Sequence, residues 1–460
     1  MKIIIIGAVA AGAKAAAKSR RLLNDDSEIT IYTEDTHVSY SSCGIPYYIE
    51  GNFEKYETLL VRSPEEFEAS GVRVYLKHRV IKILPKSKQI VVFNLEKNEA
   101  FIDKYDKLIL ATGASPTMPN IKNNWYNNIF TVRKIEDAIR IKEKIQTSKR
   151  AVIIGGGYIG LEMLEAFAKN NIYTTLIESS STLMPSMDED MGRLVIEQLN
   201  LINEYKFEII TSESVVEFKG DREGITGVIT SSGKDIDCDI AIVCTGVKPN
   251  TALAIDANLE IGETGAIWVD KHMKTSDENI YACGDCAEMN FVITNTPVWV
   301  PMGSTANKTG RCAAINVCGG DEEFPGILSS AVTRCLKLTI SKTGLTEKAA
   351  IALGYDIVTA TVTKYDKVGY MPDAKNITLK LVADKNTGKL LGGQAVGYGD
   401  TDKRINTLTA AILGGLTAEE FEQNDLTYAP PFSTTIDPLL NAAQILKEHI
   451  SGADDVLQDI

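Results

Sequence analysis

Arg150-Ala151-Val152-Ile153-Ile154-Gly155-Gly156-Gly157-Tyr158-Ile159-Gly160 decides the fold of this chain. An unbroken apolar run predicts a strand covered on both faces, as in a parallel sheet. It passes into G-x-G-x-x-G and then into a helix expected to reach about Asn170. A further strand, Tyr173 to Ile177, ends at Glu178, 18 residues after Gly160. The glycines at 155, 157 and 160 permit a tight turn, the helix that follows offers its N-terminus to a pyrophosphate, and the acid takes a ribose hydroxyl. Ser179-Ser180-Ser181 offers no arginine for a 2′-phosphate, so NADH is expected in preference to NADPH.

A second copy lies at the N-terminus. Lys2 to Ile6 predicts a buried strand, Gly7-Ala8-Val9-Ala10-Ala11-Gly12 the turn, and an alanine-rich helix runs to about Leu23; strand Glu28 to Thr33 ends at Glu34, 22 residues beyond Gly12. Val9 stands where the middle glycine is usual. Two such units in one chain imply two dinucleotides. The first, next to Cys43, is left for a flavin, hence FAD. Two other stretches agree with that: Lys107-Leu108-Ile109-Leu110 running into Ala111-Thr112-Gly113, and Ile280 to Ala287, read as a strand ending in Gly284-Asp285 at a helix start, where Asp285 could bond a ribityl chain. Cys283 and Cys286 form a C-x-x-C, but with no second pair and only 4 histidines in the chain a zinc site is not expected.

Tyr40-Ser41-Ser42-Cys43-Gly44-Ile45-Pro46-Tyr47-Tyr48 is the candidate site of chemistry. Gly44 allows another group close to the backbone, and Pro46 suits the first turn of a helix. A thiol at a helix N-terminus is favoured as thiolate and becomes a good nucleophile. Taken alone, the stretch is equally compatible with a buried, inert cysteine.

Composition bounds the rest. The 460 residues, 44% hydrophobic and 24% charged, read as about three soluble domains. The net charge of −13 opposes general affinity for nucleic acid or anionic membranes, so neither partner is expected. Eight irregularly placed cysteines do not read as a disulfide framework and suggest a reducing, cytoplasmic setting. No apolar run reaches membrane-spanning length, and the signal-like N-terminus is better explained as strand, turn and helix. From about Phe324 the pattern becomes α+β, with strands expected at Thr333 to Ile340, Asp356 to Lys364, Ile377 to Asp384 and Leu390 to Ala395. Leu426 to Ser433 is an aromatic, proline-rich loop that could be only a packed turn. Lys14, Lys18 and Arg21 share one face of the first helix, as a solvated face or as a cationic stripe for a phosphate-bearing substrate.

As a set, these residues resemble the pyridine nucleotide-disulfide oxidoreductases, in the single-cysteine branch that contains coenzyme A-disulfide reductase, NADH oxidase and NADH peroxidase. The resemblance rests on Gly7 to Gly12 with Glu34, Ser42 to Pro46, Ala111 to Gly113, Gly155 to Gly160 with Glu178, Thr245 to Asn250, Gly284-Asp285 and the Tyr428 loop. It implies an α/β fold with two Rossmann-like domains, FAD-binding (1–118 and 248–323) and NAD-binding (119–247), followed by an α+β dimerisation domain (324–460). It implies a homodimer whose active sites are completed by the partner subunit. It adds Ser42, Val80, Gly246 and Ala306 to the cofactor contacts, with Ser42 also facing substrate, and makes Tyr428, and more loosely Tyr370, tyrosines that reach the partner's cysteine. Cys43 lacks the C-x-x-x-x-C partner of the two-cysteine reductases, since Tyr48 stands there. Ala10 occupies the place where the oxidases and peroxidases carry a histidine. The expected substrate is therefore coenzyme A-disulfide or a related small disulfide, persulfide or polysulfide. The alternatives are an NADH oxidase or peroxidase working through a Cys43 sulfenic acid, and an NADH-dependent reductase of a small redox protein. No rhodanese-like domain is expected after the Tyr428 loop.

Overall fold

The structure is a computed structural model that describes residues 1–452. Two compact units emerge from the packing: residues 1–117, 131–142 and 246–327 in one, and residues 118–130, 143–245 and 328 onward in the other.

In the first unit, strand Lys2–Ile6 is the middle of a five-stranded parallel sheet in the order Ile280–Ala282, Lys107–Leu110, Lys2–Ile6, Glu28–Tyr32, Arg73–Tyr75. Ile3, Ile4 and Ile5 are fully buried, Ile3 and Ile5 in one apolar cluster and Ile4 in another on the opposite face, which is why this strand reads as a continuous apolar run. Helix Ala10–Leu22 packs on helix Gly303–Val317. A Cβ on Gly310 would come within 2.4 Å of the Ala11 carbonyl, so the alanine-rich sequence is what the close crossing requires. The unit also holds a three-stranded antiparallel sheet, His78–Leu84, Gln89–Asn94 and Glu99–Lys104.

The second unit repeats the theme around strand Arg150–Ile154, between Tyr173–Ile177 and Ile240–Val243, with Phe207–Ile210 and Ile129–Phe130 outside them, all parallel. Its remaining large sheet is antiparallel, in the order Ala331–Cys335, Leu338–Gly344, Leu390–Gly397, Asn376–Asp384, Ile357–Tyr365. Buried polar bonds bind the two parts into one unit: Asp188 accepts from the Glu347 and Lys348 amides at 3.0 and 3.1 Å and also pairs with Lys380 at 3.4 Å.

The single strand expected over Thr333 to Ile340 is instead a hairpin. Cys335 pairs with Leu338, and the two-residue turn between them has φ of +48° at Leu336 and +76° at Lys337. Turns of this kind usually advertise themselves with Asn-Gly or Asp-Gly; here neither residue gives that signal. Asp285 likewise opens no helix, since residues Gly284–Cys286 form only a 3₁₀ turn.

Candidate active site

The first glycine turn is held by contacts that exclude any side chain. Gly7 has φ of +104°, and a Cβ there would lie 2.1 Å from the Ala111 carbonyl; a Cβ on Gly12 would lie 1.9 Å from the Gly7 carbonyl. Val9 is the residue before helix Ala10–Leu22, which has no side-chain cap. Its first-turn amides are therefore available to an anion. Val9 serves with φ of −88°, so this turn does not need a glycine's conformational freedom at that place.

A cavity of about 890 Å³ runs past this turn. Gly7, Ala10, Ala11, Glu34, Ser42, Cys43, Val80, Ala111, Thr112, Gly113, Asp285 and Ala306 all line it, so the structure brings together most of the first nucleotide site expected from sequence. Gly12 lies beneath the turn, and Gly246 is not on the wall, although its neighbours Lys248 to Asn250 are. Glu34 bonds Arg79 Nε at 2.6 Å and Lys134 Nζ at 3.2 Å. Burial raises its pKa, but these cations outweigh burial and hold the carboxyl below its ordinary value, so it stays ionised at neutral pH. Asp285 is paired with Arg133 at 2.9 Å. Arg133 and Lys134 were missed from sequence because they lie far from every motif, in a segment (131–142) that returns to the first unit.

Cys43 sits in the 3₁₀ turn Ser42–Gly44, directly before helix Ile45–Glu50 with its early proline. Gly44 is needed for close approach: a Cβ there would meet Leu59 Cδ2 at 2.4 Å. The six-residue helix carries a small dipole. A longer one, Gly303–Val317, also starts at the sulfur, since a Cβ on Gly303 would lie 3.7 Å from Cys43 Sγ. Cys43 is exposed, whereas the other seven cysteines are buried or half-buried. Burial pushes the thiols of Cys238, Cys244 and Cys312 up to about 12. Cys283 and Cys286 are fully buried, and burial raises both thiols too. Among the described residues no cluster of His, Cys, Asp and Glu could hold a metal ion.

The second glycine turn, in the other unit, is built the same way. A Cβ on Gly155 would lie 2.5 Å from the Cys244 carbonyl and one on Gly160 1.9 Å from the Gly155 carbonyl. A Cβ on Gly157 would meet nothing within 4 Å, and helix Tyr158–Lys169 beyond it has no side-chain cap. Open space over uncapped amides fits a dinucleotide pyrophosphate. Glu178 is 6% exposed; it accepts from the Gly156 amide at 2.6 Å, the Ser180 amide at 2.7 Å and the Ser179 hydroxyl at 3.1 Å. It braces the turn as well as marking the strand end. Glu162, in the next helical turn, has its carboxyl pushed up to about 7 by burial, assisted by the Glu165 charge and opposed by a bond from Thr333.

Tyr370 and Tyr428 lie on loops of the second unit and are 74% and 47% exposed. Lys14 and Lys18 are half-buried and Arg21 is exposed on helix Ala10–Leu22, away from the cavity wall. None of the three cations has an ion-pair partner among the described residues.

Two glycine-turn units, the first of them on the same cavity wall as an exposed thiol, define a nucleotide-dependent oxidoreductase. Residues 1–306 match the pyridine nucleotide-disulphide oxidoreductase family and residues 331–439 its dimerisation domain, and the chain belongs to that family. It is 39% identical over 450 residues to the NAD(P)H sulfur oxidoreductase (CoA-dependent) of Pyrococcus furiosus, covering 97% of this chain and 99% of the relative. It is 34% identical to an NADH oxidase of Methanocaldococcus jannaschii, covering 98% and 100%. An NAD-dependent persulfide reductase from A. fulgidus superposes with a TM-score of 0.94 at 34% identity, over 98% of this chain and 84% of that one. No helix among the described residues is long and apolar enough to cross a membrane.

Proposed function

We propose that the protein is a flavin-dependent NAD(P)H oxidoreductase that reduces coenzyme A-disulfide, or a related small disulfide, persulfide or polysulfide, through Cys43. The observation that carries this is the exposed Cys43 on the wall of the cavity that begins at Gly7 and Glu34, with no second cysteine at the fifth position after it. FAD supplies a two-electron relay between pyridine nucleotide and sulfur. Gly7, Ala10 and Ala11 would cradle its pyrophosphate over Gly12, Glu34 would take its ribose and Asp285 its ribityl chain, with Ser42, Val80, Ala111, Thr112, Gly113 and Ala306 around it and Gly246 behind the wall that Lys248 to Asn250 form. Gly155, Gly157, Tyr158, Ile159, Gly160 and Glu178 would hold NADH.

Cys43 thiolate attacks one sulfur of the substrate. The substrate S–S bond breaks, a mixed disulfide with Cys43 forms, and one thiolate leaves. The partner subunit's Tyr428 donates a hydrogen bond to that thiolate, with Tyr370 as a second such tyrosine. Two electrons and a proton then cleave the mixed disulfide, releasing the second thiol and restoring Cys43. Lys14, Lys18 and Arg21 offer cations to the substrate's phosphates. A homodimer, a cytoplasmic location and domain limits at residues 118, 247 and 323 belong to the same proposal.

Ala10, rather than a proton-transferring histidine, in the first turn disfavours peroxide or oxygen as the main acceptor. Mass spectrometry of the as-isolated protein tests this proposal: a thiol adduct on Cys43, released by NADH, is expected. A sulfenic acid there, with kcat/KM for oxygen or peroxide above that for every disulfide and persulfide tried, would refute it.

A further inference from the structure

We propose that Arg404 is a positioning residue, which locks the loops carrying Tyr370 and Tyr428 to each other so that both phenols present a fixed arrangement. This rests on the role for those tyrosines given above. Arg404, on helix Thr401–Leu413, is 1% exposed. Its guanidinium is forked onto Asp437, Nε to Oδ1 at 3.1 Å and Nη2 to Oδ2 at 2.9 Å. The same Nη2 donates to the Asp366 carbonyl at 2.7 Å, and Nη1 to the Asp400 carbonyl at 3.1 Å.

Two of these partners, Asp366 and Asp437, are the stems of loops, and Asp400 precedes Arg404's own helix. Asp366 closes the Tyr370 loop: its amide donates to the Lys375 carbonyl and the Lys375 amide to its carboxylate, both at 2.8 Å. Asp437 closes the Tyr428 loop by accepting from the Ser433 hydroxyl at 2.8 Å and the Leu439 amide at 2.9 Å. Between them, the Phe432 and Ser433 amides donate to the Ala429 carbonyl, next to Tyr428, at 2.9 and 3.2 Å. Lys403, adjacent to Arg404, donates to the Phe432 carbonyl at 3.0 Å. One turn of one helix thus holds both loops at their bases and leaves the tyrosines exposed at the tips.

A buried ion pair is poor ground for stability, because apolar residues of equal volume often serve as well. What a planar fork adds is direction: two parallel bonds fix the angle between the joined segments, which a lysine's single ammonium does not.

Arg404→Lys keeps the charge and loses the fork, so it tests the proposal directly. With the full-length flavoprotein in stopped flow, reduction by NADH should be unchanged, while reoxidation by coenzyme A-disulfide should slow about three- to tenfold, the weight of one misplaced hydrogen bond. In a Tyr370→Phe/Tyr428→Phe background the same substitution should add nothing. If the tyrosine variants themselves leave reoxidation at the wild-type rate, the role given to the tyrosines fails and this proposal with it. If they slow it, but Arg404→Lys has no effect or an equal effect in both backgrounds, positioning by Arg404 alone is overturned. Should Arg404→Lys not fold, Ser433→Ala removes one bond to Asp437 without stranding a charge, and the same two comparisons decide.

Discussion

Gly157→Ala separates folding from nucleotide binding. The glycine has φ of −84° and ψ of −164°, extended backbone that alanine adopts without strain. A Cβ there meets nothing within 4 Å, in contrast to Gly160, where it would lie 1.9 Å from the Gly155 carbonyl. Alanine at 157 therefore leaves the fold intact and places a methyl over the uncapped amides of helix Tyr158–Lys169. If that methyl displaces the pyrophosphate from one charge-assisted bond, the loss is about 1.5 to 3 kcal/mol, or roughly ten- to a hundredfold in KM for NADH. Steady-state kinetics with saturating disulfide give KM and kcat, and thermal unfolding with flavin content gives integrity. The expectation is a raised KM for NADH, with Tm within a few degrees of wild type and full flavin. A well-folded Gly157→Ala enzyme with unchanged KM would refute the placement of NADH on this turn.

Glu178→Ala should shrink the preference for NADH over NADPH in kcat/KM, and also raise KM for both, because the carboxylate braces the turn through the Gly156 and Ser180 amides; a wild-type preference for NADPH would contradict the role given to this acid. Tyr428→Phe should slow reoxidation by disulfide about ten- to a hundredfold while leaving reduction by NADH intact. Mixed with Cys43→Ser chains under demonstrated subunit exchange, it should recover activity above its own baseline, and recovery of none would exclude a site shared between subunits. Glu162 has a folded-state pKa raised to about 7 by burial, so the native state holds its proton more tightly than the unfolded chain. Stability is then lost as pH rises from the ordinary glutamate value through 7, by at most about 3 kcal/mol. Glu162→Gln should raise Tm more at pH 8 than at pH 5, and an equal change at both would contradict the shift.

Both nucleotide units were legible because every part leaves a mark: apolar runs where a strand is covered on both faces, glycines where a Cβ has no room, and an acid at the strand end. Cys43 was legible through Gly44 and Pro46, each of which has the close contact or helix position expected. What escaped was set by long-range packing. Arg133 and Lys134 meet Asp285 and Glu34 across 152 and 100 residues of sequence. Gly303 approaches Cys43 from a helix with no motif of its own. The hairpin at Leu336-Lys337 uses residues that carry no turn signal, and the second role of Glu178, as a brace, depends on amides that only the folded turn brings to it.

The two half-reactions of Cys43→Ser decide whether this sulfur carries the electrons to substrate. Oxygen cannot replace sulfur as the exchanging atom, so the variant should bind FAD and be reduced by NADH at the wild-type rate, yet retain less than about a tenth of disulfide or persulfide reduction, a loss of more than about 1.4 kcal/mol in transition-state stabilisation. Near-wild-type turnover with those substrates by Cys43→Ser would mean that the electrons leave by another route and that Cys43 is structural.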